Sequence, residues 1–447
     1  MIIHVKSWIQ LLLESILRFQ YTSPFISATG YKPLNQIETI AVIGAGIVGT
    51  SCALWLQKKG FSVILVDPEK PGSGTSSGNA CTIADYGCVP VNSPTIFKRM
   101  PSLLFSKNSP LSVDMGYAFS HLPWMLKFLS NCRPALAARI TRILGKLLQK
   151  TYQGLDPLIE LSGSQHLLSQ QGCMYVYKTE REFENARPAN QARKDQGVEF
   201  TELSSGEIRE LEPAIKMPFV KGLLFDKATH VVNPQSLTTR YFECFLANQG
   251  RYVKQRALHI AHEKQSVAIY LDNGEKIDAN RVVIAAGAFS KEITGTGAHR
   301  LPLDTERGYH VLYAGRQSLL NRPVSWNEAG FYATPMDEGL RIAGTVEIAG
   351  YGETMNPRNL NYLARKGAEM FDLPEHPDQQ WLGFRPTLPD SLPAIGYSPH
   401  SEYVLFAFGH HHLGLTLAGI TGKLIAELLS GEQPSHNLTA FNTSRFR

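Results

Sequence analysis

Apolar and polar residues follow two different periods along this chain, and the pattern predicts an α/β protein. The clearest segment covers residues 38–67. Short β-branched runs at 40–43 and 62–66 predict two strands. Between them, the apolar spacing over residues 50–59 has the period of a helix. The segment therefore predicts a strand–turn–helix–strand unit.

Three glycines and an acid give this unit a chemical meaning. Gly44, Gly46 and Gly49 form a G-x-G-x-x-G pattern at the turn. The first allows a tight turn, the second lets a phosphate approach the backbone, and the third lets the helix pack closely. Asp67 ends the second strand, where a carboxylate accepts hydrogen bonds from a ribose diol. The glycine pattern alone also fits an ordinary βα turn, but strand, helix, spacing and acid together favour a dinucleotide site.

The rest of the chain mixes helical and strand-like segments. Helices are predicted over 96–163 (broken at Pro123 and Pro134), after 179, and over 203–211, 235–248, 360–371 and 415–429. Strands are predicted at 173–177, 222–225, 230–232, 251–253, 266–271, 281–285 and 403–408, with several more over 309–348. Residues 381–396 are rich in proline and are predicted to be irregular.

This order predicts a nucleotide-binding domain that other segments interrupt. We assign it residues 37–90, 233–300 and 376–432, and we assign 91–232 and 301–375 to a substrate domain. Residues 1–36 are then an N-terminal extension and 433–447 a C-terminal tail. The predicted fold class is α/β: a Rossmann-type dinucleotide domain interleaved with an α+β substrate domain that contains a large mixed or antiparallel sheet.

Composition and charge exclude some classes of function. A chain of 447 residues is long enough for two hydrophobic cores. Its content of 43% hydrophobic and 19% charged residues argues against disorder. The net charge of +5 is mild, and no block of like charge predicts nucleic-acid binding. The six cysteines show neither a CxxC nor a zinc spacing, which fits a reducing, cytoplasmic location better than a disulfide framework.

The first residues form an amphipathic pattern. Val5, Trp8, Ile9, Leu12, Leu13 and Ile16 share one side of a predicted helix, with Lys6, Gln10, Glu14 and Arg18 elsewhere on it. Charges interrupt the segment too often for a spanning helix, which needs about 20 mostly apolar residues. Three interpretations remain: a helix lying on the inner face of a membrane, a helix packed on the body, or a start codon assigned too far upstream.

Four sequence motifs stand together in the order typical of one flavoprotein family. They are GTSSGNA at 74–80, RVVIAAGAFS at 281–290, GFRPTLPDSLPAIG at 383–396 and GHHHLGLT at 409–416. With the glycine turn, they resemble the D-amino-acid oxidase superfamily of FAD-dependent oxidoreductases over residues 38–431. Within it, the chain is most similar to the D-amino-acid dehydrogenase branch.

The resemblance implies FAD as the dinucleotide. It is expected to be non-covalent, because no cysteine after residue 244 can form the thioether of sarcosine-type relatives. The implied contacts are Ile43, Gly44, Gly46, Ile47, Val48 and Gly49 on the pyrophosphate, Asp67 on the ribose, Leu258 near the adenine, Thr75, Ser76, Asn79 and Ala80 along the flavin, Ala286 and Gly287 at a strand end, and Gly409, Gly414, Leu415 and Thr416 at the flavin pyrimidine. A helix N-terminus at that last position stabilises the negative charge of a reduced flavin.

The resemblance also implies a carboxylate-binding arginine. Arg385, in the Gly383-Phe-Arg-Pro motif, has the fork geometry that matches a substrate carboxylate. The alternative is a structural ion pair, for example with Asp390. Tyr309 opens a strand block expected to cover the flavin, where its hydroxyl is a second candidate for the substrate carboxylate. Ordinary packing in an alternating strand is the other interpretation of Tyr309.

The three histidines at 410–412 are predicted not to bind a metal, because adjacent residues in an extended loop point alternately. We expect one of them to face the flavin or the substrate amine, with His411 and His412 as the candidates. Relatives often carry a single histidine after this glycine, so the tripled residue is a departure from the family pattern.

The implied function is oxidative deamination of an amino acid, in this branch a D-amino acid. Hydride transfer from the α-carbon to flavin N5 gives an imino acid and then a 2-oxo acid, and a quinone or another acceptor receives the electrons. Alternatives are a D-proline or hydroxyproline dehydrogenase and a sarcosine- or opine-type amine oxidase. An alternative of another class is a flavin-carrying subunit of a hetero-oligomeric electron-transfer complex.

Overall fold

The computed structural model describes residues 37–94 and 109–446. The predicted extension over 1–36 and the start of the predicted helical region near Ile96 lie outside the described residues. The helices are α1 (Ile47–Lys58), α2 (Met115–Ser120), α3 (Leu122–Asn131), α4 (Pro134–Leu148), α5 (Thr151–Ser162), α6 (Glu180–Lys194), α7 (Ser205–Leu211), α8 (Pro234–Ala247), α9 (Pro357–Met370) and α10 (Gly414–Leu429). All belong to one compact unit that begins at Glu38.

The two longest strands, over 304–314 and 339–348, fall in the predicted substrate domain. The strands are β1 (Thr39–Ile43), β2 (Ser62–Val66), β3 (Thr82–Ile83), β4 (Leu111–Val113), β5 (Leu168–Ser169), β6 (Cys173–Tyr177), β7 (Thr201–Ser204), β8 (Lys221–Phe225), β9 (Thr229–Val231), β10 (Arg251–Val253), β11 (Ala257–His262), β12 (Val267–Leu271), β13 (Lys276–Ala279), β14 (Arg281–Ile284), β15 (Asp304–Ala314), β16 (Val324–Trp326), β17 (Phe331–Pro335), β18 (Gly339–Ile348), β19 (Gln379–Thr387), β20 (Ala394–Ser398) and β21 (Ser401–Phe408).

A six-stranded sheet collects the sequence-distant pieces of the predicted nucleotide domain. Its order is β10-β2-β1-β14-β21-β20, parallel throughout except for the antiparallel edge strand β20. The apolar runs that predicted β1, β2 and β14 are buried because both faces of this sheet are covered. The carboxyl ends of β1, β2 and β14 therefore lie side by side, at the edge where ligands bind in such sheets.

A nine-stranded mixed sheet forms the second layer. Its order is β19-β15-β18-β17-β16-β6-β8-β7, and β4 pairs with β18. The long strands β15 and β18 come directly after the edge strand β19 in this order, and α9 packs Leu360 and Leu363 against one face of the sheet. The opposite face carries the residues that meet the nucleotide-binding segments.

The strand β19 corrects the sequence analysis in two respects. Residues 388–393 are irregular as predicted, but 381–387 and 394–396 are not: they belong to β19 and β20, and β19 pairs with β15 over nine residues, from Asp304 opposite Thr387 to Leu312 opposite Gln379. Residues 379–387 also belong to the nine-stranded sheet, although the predicted nucleotide domain begins at 376. Local proline content misled the prediction, since Pro386 and its neighbours lie on an edge strand, where a missing N–H is tolerated.

Small residues bring α1, α5 and α10 into close contact. A Cβ at Gly422 would lie 2.7 Å from the carbonyl oxygen of Ser51, and one at Gly419 would lie 2.7 Å from the backbone nitrogen of Leu155. Among the described residues, the stretch 411–429 is long and apolar enough to cross a membrane, but 78% of it is buried inside the protein. Its hydrophobicity is therefore that of a core helix.

Candidate functional site

The glycine turn lies where β1, α1 and β14 meet. Gly44 has a φ of +108°, and a Cβ there would lie 2.8 Å from the nitrogen of Ala286 and overlap the carbonyl of Ala285. A Cβ at Gly49 would overlap the carbonyl of Gly44. These contacts leave no room for a side chain at either position, which is the reason for the spacing of the motif.

The N-terminus of α1 is open for an anion. Its N-cap residue is Gly46, which has no side chain to cap the helix, and its first turn holds no acid. Gly46 and Val48 are half-buried, while Ile43 and Ile47 are buried beneath them. A helix end with free N–H groups and a glycine surface is the usual cradle for a phosphate.

Asp67 lies beside this cradle. Its carboxylate accepts hydrogen bonds from the N–H groups of Ala45 (2.6 Å) and Glu69 (2.8 Å). Partial burial raises its pKa, although these two bonds oppose the shift. The side chain is thus held at the edge of the turn with lone pairs to spare for a diol.

The loop over residues 71–80 folds onto the glycine turn. Gly72 N–H donates to Ala45 O at 2.9 Å, and the Ser76 hydroxyl accepts from Ile47 N–H at 2.9 Å. Thr75 donates its hydroxyl to Phe384 O on β19 at 2.9 Å. The loop therefore links the phosphate cradle to the nine-stranded sheet.

The end of this loop is held by its own side chain and by Arg341. Asn79 donates to Ser76 O at 2.8 Å and accepts from Cys81 N–H at 2.7 Å, with Ala80 half-buried between them. Arg341 on β18 donates to the carbonyls of Ser77 (2.8 Å) and Asn79 (3.1 Å). The sequence analysis missed Arg341, because nothing local shows that a strand far along the chain faces this loop.

His310 and Trp381 support the same loop from the sheet. Their rings stack with centroids 5.1 Å apart, and His310 bonds through Nδ1 to Gly78 O at 3.1 Å. Trp381 covers Gly78 and Gly383, where a Cβ would overlap its ring. Burial lowers the pKa of His310 to about 3, so this histidine is neutral. These two residues were not predicted as site residues either, although the alternation of side chains along β15 places His310 on this face.

The start of α10 reaches the same region. Gly409 packs against Leu388, and a Cβ there would lie 2.7 Å from Leu388 Cδ1. Thr416 accepts from Ala84 N–H at 2.9 Å through its hydroxyl. Leu415 is buried and Gly414 is half-buried at the first turn, which no side chain caps. This end of α10 is thus a second uncapped helix N-terminus.

The remaining predicted cofactor contacts lie just after β14 and on β11. Ala286 and Gly287 follow β14 directly beside Gly44, so the structure brings them to the cradle. Leu258 on β11 is 46% exposed, whereas its neighbour Ala257 is buried in the cluster that contains Val66. Strand alternation therefore makes Ala257, not Leu258, the inward-facing residue at this position.

Arg385 lies on the inner face of the nine-stranded sheet. Its guanidinium lies across Gly308, where a Cβ would come within 2.8 Å of Nη1 and overlap Cζ. Nη1 donates to Thr345 O at 3.0 Å. Among the described residues, no other acceptor engages its remaining N–H groups. Desolvation lowers the pKa of this half-buried group, and the nearby Glu306 carboxylate opposes that shift.

The alternative of an Arg385–Asp390 ion pair is wrong. Asp390 instead pairs with Arg445 at 2.6 Å, so the predicted tail over 433–447 docks on the body. Phe441 of the tail is fully buried, and its carbonyl accepts from Ile395 N–H on β20. Arg385 therefore forms no ion pair with Asp390.

A carboxylate–histidine chain lies next to Arg385. Glu306 lies opposite Arg385 in the register of β15 and β19. Its Oε1 is 3.2 Å from His411 Nε2. His411 Nδ1 lies 2.7 Å from His412 Nδ1. Glu306 and His411 are buried, whereas His412 is exposed. Burial raises the pKa of Glu306, but His411, Arg385 and His412 together lower it overall, so the group is ionised.

The histidine loop has an uncommon backbone. His411 has a φ of +55°, in the left-handed region that non-glycine residues seldom adopt. His410 turns the other way and bonds to Thr421 Oγ1 at 2.9 Å, and burial lowers its pKa to about 3. No cluster that could hold a metal occurs among the residues described. His411 and His412 lie in a short 3-10 turn, His411–Leu413, rather than in an extended loop, so the alternation expected for the three rings does not hold: His411 and His412 contact each other, and His410 alone faces Thr421.

Tyr309 does not reach this face, which corrects the prediction. Along β15, Glu306, Gly308 and His310 share the inner face, so Tyr309 points to the outer one. There its hydroxyl donates to Glu347, which also pairs with Arg307 at 3.2 Å. Tyr309 belongs to the core under α9, because side chains in a strand alternate.

The comparisons with known proteins agree with this arrangement. Residues 39–428 match the DAO family, described as FAD-dependent oxidoreductase. A D-amino-acid oxidase from Bradyrhizobium diazoefficiens is 33% identical over 417 residues, covering 91% of this chain and 98% of the relative.

Solved structures with low sequence identity share the fold. Glycine oxidase from Bacillus cereus matches with a TM-score of 0.68 at 19% identity, covering 89% of this chain and 96% of that one. L-proline dehydrogenase from P. horikoshii matches with a TM-score of 0.66 at 18% identity, covering 92% and 98%. The predicted α/β class with a dinucleotide-binding domain is confirmed.

The residues present fit FAD as the cofactor. The uncapped N-terminus of α1, the glycine surface at Gly44 and Gly46, and the Asp67 carboxylate lie at one edge of the parallel sheet. Ser76 occupies one donor of the helix end and is replaceable there by a phosphate oxygen. The loop over 71–80 contacts both this cradle and β19, the strand of Arg385. The second uncapped helix end, at Gly414, follows the histidine loop that contacts Glu306.

Proposed function

Because the chain belongs to the DAO family of FAD-dependent oxidoreductases, we propose that it deaminates an amino acid oxidatively, with a D-amino acid as the substrate. It acts on amino acids or amines as a class. The finer assignment makes it a D-amino-acid dehydrogenase that passes electrons to a quinone or another acceptor, with FAD held non-covalently.

One observation carries the proposal: Arg385 presents uncommitted donors on the sheet face that meets the cofactor-binding segments. A guanidinium has five N–H donors, and the described residues supply one acceptor, Thr345 O. A half-buried cation in this state is a strong site for an anion of fork geometry. An α-carboxylate satisfies that requirement, whereas a simple amine does not.

The neighbouring groups complete a site for a zwitterion. Glu306 supplies negative charge, and His412 supplies an exposed ring nitrogen near Arg385. Bound FAD supplies the hydride acceptor for the C–H bond of the substrate. The chain supplies position: Arg385 fixes the carboxylate, which limits the orientations open to the α-carbon and its amine.

The proposed stereochemistry and the proposed acceptor rest on different support. The 33% identical relative is a D-amino-acid oxidase, which supports a D-substrate for this chain. The resemblance of the motifs to the dehydrogenase branch supports a quinone or another acceptor.

The test is anaerobic reduction of the purified holoenzyme by matched pairs of D- and L-amino acids, with D-proline, N-methylglycine and glycine alongside. Bleaching of the visible flavin band by D-amino acids but not by their L-partners supports the proposal. Bleaching by N-methylglycine or D-proline alone would assign the chain to the alternative amine or proline enzymes. Reoxidation by a soluble quinone, compared with oxygen, decides the acceptor.

A further inference from the structure

The buried carboxylate Glu306 has a geometry that ordinary packing does not explain. Its Oε1 meets His411, but its Oε2 is buried and has no hydrogen-bond partner among the described residues. A buried carboxylate oxygen without a hydrogen-bond partner destabilises the fold. Such a residue is retained in a fold where its charge serves another group.

The order of hydrogen bonds determines the tautomers of both rings. An ionised carboxylate only accepts, so His411 must place a proton on Nε2 to donate to Glu306. In the neutral ring, His411 Nδ1 is then an acceptor. His412 Nδ1 lies 2.7 Å away and must therefore carry the proton of that bond. This leaves His412 Nε2 with a lone pair.

The lone pair of His412 Nε2 is open to a ligand. His412 is exposed, and no hydrogen bond from the described residues reaches its Nε2. The ring lies close enough to Arg385 for the two groups to interact electrostatically. A substrate whose carboxylate is held by Arg385 therefore brings its amine toward an acceptor nitrogen.

We propose that His412, His411 and Glu306 form a proton relay that receives the proton of the substrate ammonium. The N–H bond of the ammonium breaks and a new bond forms at His412 Nε2. The Nδ1 proton of His412 then moves to His411 Nδ1. The result is a neutral amine, a neutral His412 and an imidazolium at His411, next to ionised Glu306.

The charges around the relay favour this end state. Arg385 lies close enough to His412 for its positive charge to disfavour a cation on that ring. Ionised Glu306 instead stabilises the cation at His411. The left-handed backbone of His411 is what lets its ring face Glu306 and His412 together.

The inference rests on the proposed function, since it requires an amine substrate. A hydride can leave the α-carbon readily only when the adjacent nitrogen has a free lone pair. His412 is the catalytic residue of the relay, because it faces the substrate. His411 and Glu306 are positioning residues, which set the tautomer and hold the charge.

The kinetic test compares the wild-type holoenzyme with Glu306→Gln and His412→Gln. Glutamine at 306 keeps a hydrogen-bonding group without charge, and glutamine at 412 keeps an acceptor near the Nε2 position but cannot pass a proton. At neutral pH, anaerobic flavin reduction should be slower by about 100-fold in both. At a pH where the free amine predominates, both should return to within about twofold of wild type.

The matched control is Glu212→Gln. Glu212 is also a buried carboxylate, paired with Arg322 at 2.8 Å, but it lies away from the site. Its rate should follow the wild type at every pH. Variants at 306 and 412 that are equally slow at all pH values, or as fast as wild type at neutral pH, would overturn the relay. FAD content and melting temperature are measured for each variant.

A second readout does not depend on turnover. Nitrogen-15 NMR of histidine-labelled holoenzyme, assigned with His411→Asn and His412→Asn, reports the tautomers directly. The relay requires His411 protonated at Nε2 and His412 at Nδ1 in the resting enzyme. The reverse tautomers would overturn it. If no amino acid reduces the wild-type flavin, the proposed function fails, while the tautomers still report on the relay geometry.

Discussion

The guanidinium of Arg385 lies across the backbone of Gly308, so the glycine creates the space that the arginine occupies. A Cβ at position 308 would come within 2.8 Å of Nη1. This contact joins the neighbouring strands β15 and β19 and holds the guanidinium flat against the inner face of the sheet. An anion bound there meets the edge of the guanidinium, which is its bidentate side.

Arg385→Lys should weaken catalysis without loss of cofactor. Lysine keeps the charge but cannot form two parallel hydrogen bonds to a carboxylate. We expect kcat/KM to fall by about 2 kcal/mol, roughly 30-fold. Arg322→Lys, at the Glu212 ion pair, is the matched control. Equal kinetics in the two variants would remove Arg385 from the substrate site.

Gly44→Ala should abolish FAD binding. The residue combines a φ of +108° with contact against Ala285 and Ala286, so a Cβ adds overlap to a backbone strain of about 1–3 kcal/mol. Gly274→Ala is the control, because its φ is +84° but nothing lies within 4 Å. Flavin per protein, measured by absorbance, should fall only in the first variant. Similar flavin content in both would contradict the close-approach explanation.

Tyr309→Phe should reduce stability rather than substrate affinity. The hydroxyl donates to buried Glu347 on the outer face of the sheet, away from Arg385. Its loss should cost about 1–3 kcal/mol of unfolding free energy. Chemical denaturation measures this cost, and steady-state kinetics should show an unchanged KM. A raised KM with normal stability would return Tyr309 to the substrate site.

Stability should fall as the solution becomes mildly acidic. Burial lowers the pKa of His230 to about 4 and those of His310 and His410 to about 3, against about 6.5 in the unfolded chain. The unfolded state therefore binds more protons below about pH 6.5. The stabilisation is fully present above that value and decreases as pH falls toward the folded pKa values.

The measurement for this prediction is the slope of melting temperature between pH 7 and pH 5. Burial raises the pKa of Asp85 to about 6, which contributes to the slope with the opposite sign. The measured slope is therefore the sum of the histidine and Asp85 contributions. His410→Gln should flatten the slope, since it removes one of the histidines whose pKa burial lowers. An unchanged slope in that variant would show that His410 is not neutral in the folded protein.

The N-terminal segment is expected to hold the enzyme at a membrane surface. Removing residues 1–36 should move dye-linked activity from the membrane pellet to the supernatant without reducing it. Leu12→Glu, on the predicted apolar side, should act like the deletion, whereas Gln10→Glu adds the same charge on the polar side and should not. The same distribution for all four proteins would contradict membrane association.

The sequence alone determined the parts of this protein that depend on local rules. The strand–turn–helix–strand unit around Gly44 was predictable because hydrophobic period and glycine spacing are properties of neighbouring residues. The helices predicted after 179 and over 203–211 are confirmed as α6 and α7 for the same reason, and the structure shows Thr179 and Ser204 capping them. The family motifs added FAD and Arg385, since each motif is a short contiguous stretch.

Only the tertiary structure decided which side chains face one another. Glu306 and Arg385 are far apart in the chain and become neighbours through the register of β15 and β19. That register also turns Tyr309 away, because one residue along a strand reverses the face. Pairing between distant strands depends on the packing of the whole sheet, and no local pattern in a single sequence encodes it.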